Sequence, residues 1–213
     1  MDLSRCGFGP SAGLPLAEAL RRADADSALR ELHLDRNEMG FQGMVAFAPA
    51  LTLSGLQVLT LRENQLGDGG AGALAEALQR NKSLKELDLA GNEIGDAGGQ
   101  TLGLALAAFP GPRLTYLGLK SNRIGDEGAG GLALALEKNA WLEELDLRTN
   151  SIGMEGVSKL LAALETNTSL SSLLLEGNEG VEDELVAAVE GLAADVSSRR
   201  ERQARKPKLA FVP

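Results

Sequence analysis

Residues 84–102 read Leu84-x-x-Leu87-x-Leu89-x-x-Asn92-x-Ile94-Gly95-x-x-Gly98-x-x-x-Leu102, and this wording recurs along the chain. Its copies are aligned by six asparagines, which are separated by 27, 28, 30, 28 and 28 residues. A period this regular is typical of a repeat architecture, in which each copy packs on its neighbours. The six asparagines are Asn37, Asn64, Asn92, Asn122, Asn150 and Asn178.

Two spacings within each copy predict a short strand followed by a helix. Leu87 and Leu89 are two residues apart, so they point to one face of a strand, while the residues between them point to the other. Further along each copy, leucines four residues apart give one apolar stripe on a helix. These helix leucines are Leu74 and Leu78, Leu102 and Leu106, Leu132 and Leu136, and Leu160 and Leu164.

Stacking is required because one such unit cannot bury its leucines alone. The strands lie roughly 4.8 Å apart and the helices are wider, so the stack is expected to bend into a horseshoe. We therefore predict an α/β solenoid with a parallel sheet on its concave face and helices on its convex face. The array is expected to span residues 1–196, as a partial first repeat followed by about six repeats, and residues 197–213 are expected to form a basic, flexible tail.

The turn between each strand and its helix combines an asparagine, a glycine and, in three copies, an aspartate. The asparagines are predicted to turn inward and bond backbone groups between repeats as a structural ladder, and the loss of one should cost about 1–3 kcal/mol. The glycines suit a positive φ or a close approach, and the aspartates can cap free N–H groups. The glycines are Gly67, Gly95, Gly125 and Gly153, and the aspartates are Asp68, Asp96 and Asp126.

The full wording, Asn-x-Ile-Gly-x-x-Gly-x-x-x-Leu-Ala-x-Ala-Leu, is complete from Asn64 to Leu78 if Leu66 stands for Ile. It resembles the ribonuclease-inhibitor-like subclass of leucine-rich repeat proteins, which includes ribonuclease inhibitors, the repeat domains of NOD-like receptors and Ran GTPase-activating proteins. The resemblance covers about residues 1–190 and implies a right-handed α/β horseshoe. It is weakly specific for function, because one scaffold hosts many partners.

The outward strand positions have no core duty, and we predict that they bind a partner. Equivalent outward positions of successive repeats form three columns across the sheet, which begin at Glu31, His33 and Asp35. The first two columns are mainly acidic, and the third contains three cations, Arg62, Lys120 and Arg148. Acidic and basic stripes side by side suit a partner protein of mixed charge. Alternatively, the neighbouring charges compensate one another on a solvated face. Tyr116 is the expected anchor, because its ring is large and amphipathic. The candidate partner-binding residues are Glu31, His33, Asp35, Val58, Thr60, Arg62, Glu86, Asp88, Tyr116, Lys120, Glu144, Asp146 and Arg148.

These observations predict a protein–protein interaction module and no enzyme. The chain has one histidine, His33, and one cysteine, Cys6, and it has neither a P-loop nor zinc-ligand spacing. No catalytic, cofactor-binding or metal-binding residue is therefore predicted. The resemblance also implies two alternatives: a GTPase-activating protein of the Ran-activator type, and the repeat region of a NOD-like receptor sensor. No functional residue of the Ran activators can be carried over, since the shared motif is structural.

The composition limits the classes of molecule that the chain is expected to bind and the cellular compartment in which it is expected to lie. The formal net charge is −9, and six cations and one anion in the tail leave −14 on residues 1–196. This charge argues against nucleic-acid binding by the solenoid. No membrane span and no signal peptide are visible, and a single cysteine excludes an intrachain disulfide. The expected location is cytoplasmic or nuclear.

Three departures from the repeat carry predictions of their own. Cys6 occupies an asparagine position in a first repeat that begins halfway, so that open end could pair with another copy of the chain. Pro49 should kink or end the first full helix. Trp141 replaces a serine before the fifth strand and is expected to cover the edge of the core, with a partner contact as the alternative.

Overall fold

Helices and short strands alternate along the described part of the chain. The computed structural model describes residues 1–22, 29–108, 113–178, 181–196 and 198–200. The strands are β1 (Glu31–His33), β2 (Val58–Thr60), β3 (Glu86–Asp88), β4 (Tyr116–Gly118), β5 (Glu144–Asp146) and β6 (Ser172–Leu174). After a short 3₁₀ turn, Pro10–Ala12, the helices are α1 (Gly13–Arg22), α2 (Gly40–Leu51), α3 (Gly67–Arg80), α4 (Asp96–Ala107), α5 (Asp126–Lys138), α6 (Met154–Leu164) and α7 (Asp183–Ala194).

The six strands form one parallel sheet in chain order, β1 to β6, with equivalent residues of successive repeats paired in register. This confirms the predicted solenoid. One leucine column runs through the middle of the sheet and a second follows one step beyond the strands, and every member of both is buried. The first column is Leu32, Leu59, Leu87, Leu117, Leu145 and Leu173, and the second is Leu34, Leu61, Leu89, Leu119, Leu147 and Leu175.

The helices pack side by side behind the sheet, and their leucines complete the core. Helices α4 and α5 approach most closely where Gly103 lies against Gly131. A Cβ atom added to Gly103 would overlap the carbonyl oxygen of Gly131. No helix in the described ranges is long and apolar enough to cross a membrane.

The aspartates of the turns cap helices, but each one caps the helix of the following repeat. Asp96 lies in the first turn of α4, and its Oδ1 accepts the N–H groups of Gly125 and Gly128 at 2.8 and 2.7 Å. Gly125 is the N-cap residue of α5. Asp68 and Asp126 bond the next repeat in the same way. The aspartates thus cap free N–H groups, as the sequence predicted, and the groups that they cap belong to the next repeat.

The turn glycines divide into two kinds. Gly67 has a positive φ of 57°, as the sequence allowed. Gly95, Gly125 and Gly153 are extended, with φ near −100°, and the aspartate of the preceding repeat lies against each of them. A Cβ atom added to Gly153, for example, would lie 3.2 Å from Asp126 Oδ2. At these three positions glycine gives the carboxylate room to approach, and it is not required by the backbone conformation.

Two other sequence expectations change in detail. Pro49 lies inside α2, which ends two residues later at Leu51, so the helix is not broken at the proline itself. Arg199 and Arg200, assigned from sequence to the tail, bond the last repeat. Arg199 is buried and donates to the carbonyl oxygens of Asn167 at 2.8 Å and Ala193 at 2.7 Å, and also to those of Leu164 and Leu170. Residues 201–213 lie outside the described residues.

Candidate partner-binding site on the concave wall

The concave wall is defined as the outward face of β1 to β6 together with the residue two positions beyond each strand, so the thirteen candidate residues predicted above are all positions of this wall. The alternation of each strand turns its first and third residues away from the leucine core. Strand pairing then places Glu86, Tyr116 and Glu144 side by side in one column, and Asp88, Gly118 and Asp146 in the next. The structure thus puts candidates from separate repeats on one surface.

Tyr116 lies at the centre of this wall, over the space left by Gly118. A Cβ atom added to Gly118 would lie 2.8 Å from the Tyr116 hydroxyl oxygen. The hydroxyl group donates a hydrogen bond of 3.3 Å to Asp88 Oδ2. Burial and the carboxylates of Asp88, Asp146 and Glu144 raise the pKa of Tyr116 well above its ordinary value of 10.0. The phenol is protonated at neutral pH even without this shift, so the raised pKa changes its charge only in alkaline solution.

Two arginine–aspartate pairs flank the tyrosine and hold fixed positions. Arg62 Nε and Nη2 lie 2.8 and 2.7 Å from Asp88 Oδ2, and Arg148 makes two bonds of 2.9 and 2.6 Å to the two oxygens of Asp146. Both aspartates are buried, and the bonds raise the pKa of each arginine. Two of the three cations in the predicted column are therefore neutralised within the wall, which agrees with the alternative that neighbouring charges compensate one another.

The remaining charges of the wall are available to a partner. Within the described part of the chain, Lys120, Glu31, Glu86 and Glu144 form no ion pair. Asp35 accepts the backbone N–H of Arg62 at 2.9 Å, and His33 Nδ1 lies 3.1 Å from Thr60 Oγ1. A depression of about 340 Å³ is lined by Val58, Leu59, Thr60, Arg62, Glu86, Asp88, Tyr116 and Glu144.

The six repeat asparagines lie beneath the edge of the wall, and all are buried. Asn92 shows the pattern: its Oδ1 accepts the N–H of Asn64 at 2.9 Å, and its Nδ2 donates to the carbonyls of Leu61 and Leu89 at 2.8 and 3.0 Å. Asn37, Asn64, Asn122, Asn150 and Asn178 make equivalent bonds. Their amides are fully used by the backbone of two repeats, so they hold the wall together and do not face a partner.

Sequence reasoning missed a second asparagine ladder at the opposite end of the helices. Asn81, Asn139 and Asn167 are buried, and each Nδ2 donates to a leucine carbonyl near the end of the preceding repeat's helix. Their Oδ1 atoms accept the N–H of the leucine three residues later. The signal was visible as Asn-x-x-Leu before three strands, but it occurs in only half of the copies.

Trp141 is not the core cover that the sequence predicted. Its side chain is 48% exposed, and the guanidinium carbon of Arg113 lies 4.8 Å from the centroid of its ring. The pair belongs to the connections that precede β4 and β5, beside the concave wall. Phe41, in contrast, packs on the turn of the next repeat, where it occupies the space beside Gly69.

Two kinds of chemical site have no counterpart among the described residues. No three His, Cys, Asp or Glu side chains in those ranges are placed to hold a metal ion. His33 bonds Thr60, and Cys6 Sγ lies 3.6 Å from the carbonyl oxygen of Ser4. The acidic groups of the wall are either bonded to arginine or open to solvent, which gives no enclosed acid–base pair.

Comparison with known proteins agrees with this architecture. A family model described as Leucine Rich repeat matches residues 55–75, 80–103, 113–133 and 138–161. The ribonuclease inhibitor of Sus scrofa is 35% identical over 123 residues, which cover 57% of this chain and 26% of that protein. NACHT, LRR and PYD domains-containing protein 12 of Homo sapiens is 36% identical over 126 residues, or 58% of this chain and 12% of that protein.

One solved structure supports the fold over nearly the whole chain. The tropomodulin C-terminal domain of Caenorhabditis elegans aligns with 91% of this chain and 97% of its own, with a TM-score of 0.54 and 18% sequence identity. At this identity the match concerns the fold alone. The two curated relatives are much longer than their matched parts, so the chain spans about a quarter of one and about an eighth of the other.

Proposed function

Because the chain is a leucine-rich repeat protein of the ribonuclease-inhibitor-like subclass, we propose that it binds another protein through its concave wall. The leucine-rich repeat family as a whole favours protein–protein interaction. The part of the proposal specific to this chain is the place of contact, with Tyr116 as the anchor and Glu86, Glu144 and Lys120 as the charged contacts around it.

The observation that carries the proposal is the column Glu86–Tyr116–Glu144 at the centre of the sheet. A tyrosine ring is a common anchor of protein interfaces, and the two glutamates beside it form no ion pair within the described residues, so they can contact basic groups of a partner around that anchor. The Arg62–Asp88 and Arg148–Asp146 pairs fix the groups around it. Such preorganisation lowers the entropy that binding must overcome.

The names of the relatives agree with a protein partner. One of them is a ribonuclease inhibitor, so its name describes action on another protein. This supports the class of partner and leaves its identity to experiment.

Affinity capture with matched variants tests the proposal. The wall variant is Tyr116→Ala with Glu144→Gln, which leaves both arginine–aspartate pairs in place. The control is Leu134→Ala with Glu137→Gln on α5, where both side chains are exposed on the convex face. Proteins captured by the original chain and by the control, but lost by the wall variant, are the expected result. Equal capture by all three proteins, each shown to be folded by thermal unfolding, rejects the concave wall as the binding site.

The two alternatives implied by the family have separate tests. No observation in the described ranges favours GTPase activation, and an assay of GTP hydrolysis by Ran with and without the chain decides that hypothesis. The repeat region of a NOD-like receptor sensor would be encoded together with a nucleotide-binding domain, so the sequence of the native transcript decides the other.

A further inference from the structure

Cations concentrate along one long edge of the solenoid. We define the basic edge as the last turn of each helix together with the segment that follows it, up to the next strand or, after α7, up to Arg200. Its described residues include nine exposed or half-exposed arginines and lysines against four anions, and the connection at 23–28 adds Asp24 and Asp26 in sequence. Six of the cations are Arg30, Arg80, Lys82, Lys85, Arg113 and Lys138.

The opposite edge, from the end of each strand to the first turn of the next helix, has the reverse balance. From residue 34 onward it contains five cations and eleven anions in the described ranges. Four of the five cations, Arg36, Arg62, Arg123 and Arg148, are bound in ion pairs. On the basic edge Arg30, Arg80, Lys85, Arg113 and Lys138 take part in none of the ion pairs that the described residues form.

Helix dipoles explain only part of this separation. A cation in the last turn of a helix is stabilised by the partial negative charge there, which accounts for Arg80 and Lys138. Arg30, Lys85 and Arg113 lie outside the helices, in the connections to the strands. Because the effect of the dipole falls off within the last turn, it does not account for these three cations.

Exposed apolar side chains lie on the same edge. Leu53, between α2 and β2, is 91% exposed, and Trp141, between α5 and β5, is 48% exposed. Lys82, Lys85 and Arg113 occupy the two connections between them, and Arg113 stacks on Trp141. Tryptophan and leucine among arginines and lysines are the residues that enter the headgroup region of a bilayer, while the cations attract its anionic lipids.

We propose that the basic edge binds an anionic membrane surface, with Leu53 and Trp141 entering the headgroup layer. The exposed Leu53 favours lipid over a nucleic acid, because an aliphatic side chain neither pairs with phosphate nor stacks on a base, whereas tryptophan and arginine suit both ligands. In this orientation the opposite edge, where anions outnumber cations, points away from the membrane.

Vesicle binding of the full chain tests the proposal. Phosphatidylcholine vesicles with and without phosphatidylserine are titrated at low salt, and binding is followed by co-sedimentation and by the fluorescence of Trp141, the chain's one tryptophan. We expect binding and a blue shift only with phosphatidylserine, both lost at high salt. Lys85→Glu with Lys138→Glu should lower the partition coefficient by at least about 25-fold, from roughly fivefold for each cation removed. Leu53→Ser should weaken binding without changing its salt dependence.

The control carries the same net charge on the opposite edge: Arg36→Glu with Arg123→Glu. Its binding should stay within about twofold of the original chain, because those residues face away from the bilayer. Equal loss in both double variants would show a net-charge effect and overturn the proposal. Absence of binding to phosphatidylserine vesicles, or binding to single-stranded RNA in its place, would also overturn it. Thermal unfolding verifies that all variants fold.

Discussion

At the scale of single residues, Tyr116 links the concave wall to pH. Burial and the carboxylates of Asp88, Asp146 and Glu144 raise its pKa above 10.0. The folded state therefore holds the phenolic proton more tightly than the unfolded chain does. Its contribution to the free energy of unfolding is complete below pH 10.0 and falls as the pH rises toward the folded-state pKa.

We predict that the original chain loses stability above pH 10.0 faster than the Tyr116→Phe variant, which cannot ionise. Denaturant unfolding of both proteins below and above that pH measures the difference, and the variant corrects for lysines that titrate in the same range. The chain has one tyrosine, so its ultraviolet absorbance reports Tyr116 alone. A folded-state titration centred at 10.0 would contradict the raised pKa.

At the scale of elements, two glycines in neighbouring helices have opposite roles. Gly103 in α4 lies so close to Gly131 in α5 that no side chain fits between the two backbones, whereas Gly72 in α3 has open space where a Cβ would stand. Glycine in a helix costs about 0.5–1 kcal/mol relative to alanine. At Gly103 the close packing of α4 against α5 offsets that cost, because any larger residue would hold the two helices apart.

We predict that Gly103→Ala lowers the free energy of unfolding by about 1–3 kcal/mol, because α4 and α5 must move apart. Gly72→Ala should raise it by about 0.5–1 kcal/mol through helix propensity alone. Denaturant unfolding of the two variants compares the same chemical change at a packed and an open site. Stabilisation by both substitutions would mean that α4 and α5 are farther apart than described.

At the scale of the whole molecule, Arg199 closes the end of the array. Asn167 donates to the carbonyl oxygens of Leu136 and Asn139, and Arg199 donates to the equivalent carbonyls one repeat later, those of Leu164 and Asn167. One arginine thus satisfies carbonyls for which no further repeat asparagine is available in this part of the chain. An unsatisfied buried carbonyl is costly, so this cap stabilises the last repeat.

We predict that Arg199→Ala lowers the opening free energy of α7 and β6 by about 1–3 kcal/mol and leaves β3 unchanged, because each repeat of a solenoid contacts only its neighbours. Hydrogen exchange of the backbone amides measures both regions in one experiment. Arg200→Ala is the matched control, since Arg200 is exposed and makes a single bond to Thr168. Loss of protection in β3 equal to that in α7 would show that the array unfolds as one unit.

The repeat period, the positions of the strands and the assignment of leucines to the core and polar residues to the concave wall were all predicted from the amino-acid sequence. These follow from periods of two and four residues within one copy, and a local period needs no knowledge of the rest of the fold. Tyr116 and the charged columns could be placed on the wall for the same reason. The 28-residue period then fixed which positions become neighbours.

The contacts between particular side chains of different repeats could be identified only in the folded structure. The fold pairs Arg62 with Asp88, places Asp96 against the next helix, buries Arg199 in the last repeat and brings exposed cations together on one edge, although the chain as a whole is acidic. Each of these outcomes depends on rotamers and distances between residues far apart in sequence. A period fixes which residues are neighbours, but the energy of each contact is set by where their atoms lie in the folded chain.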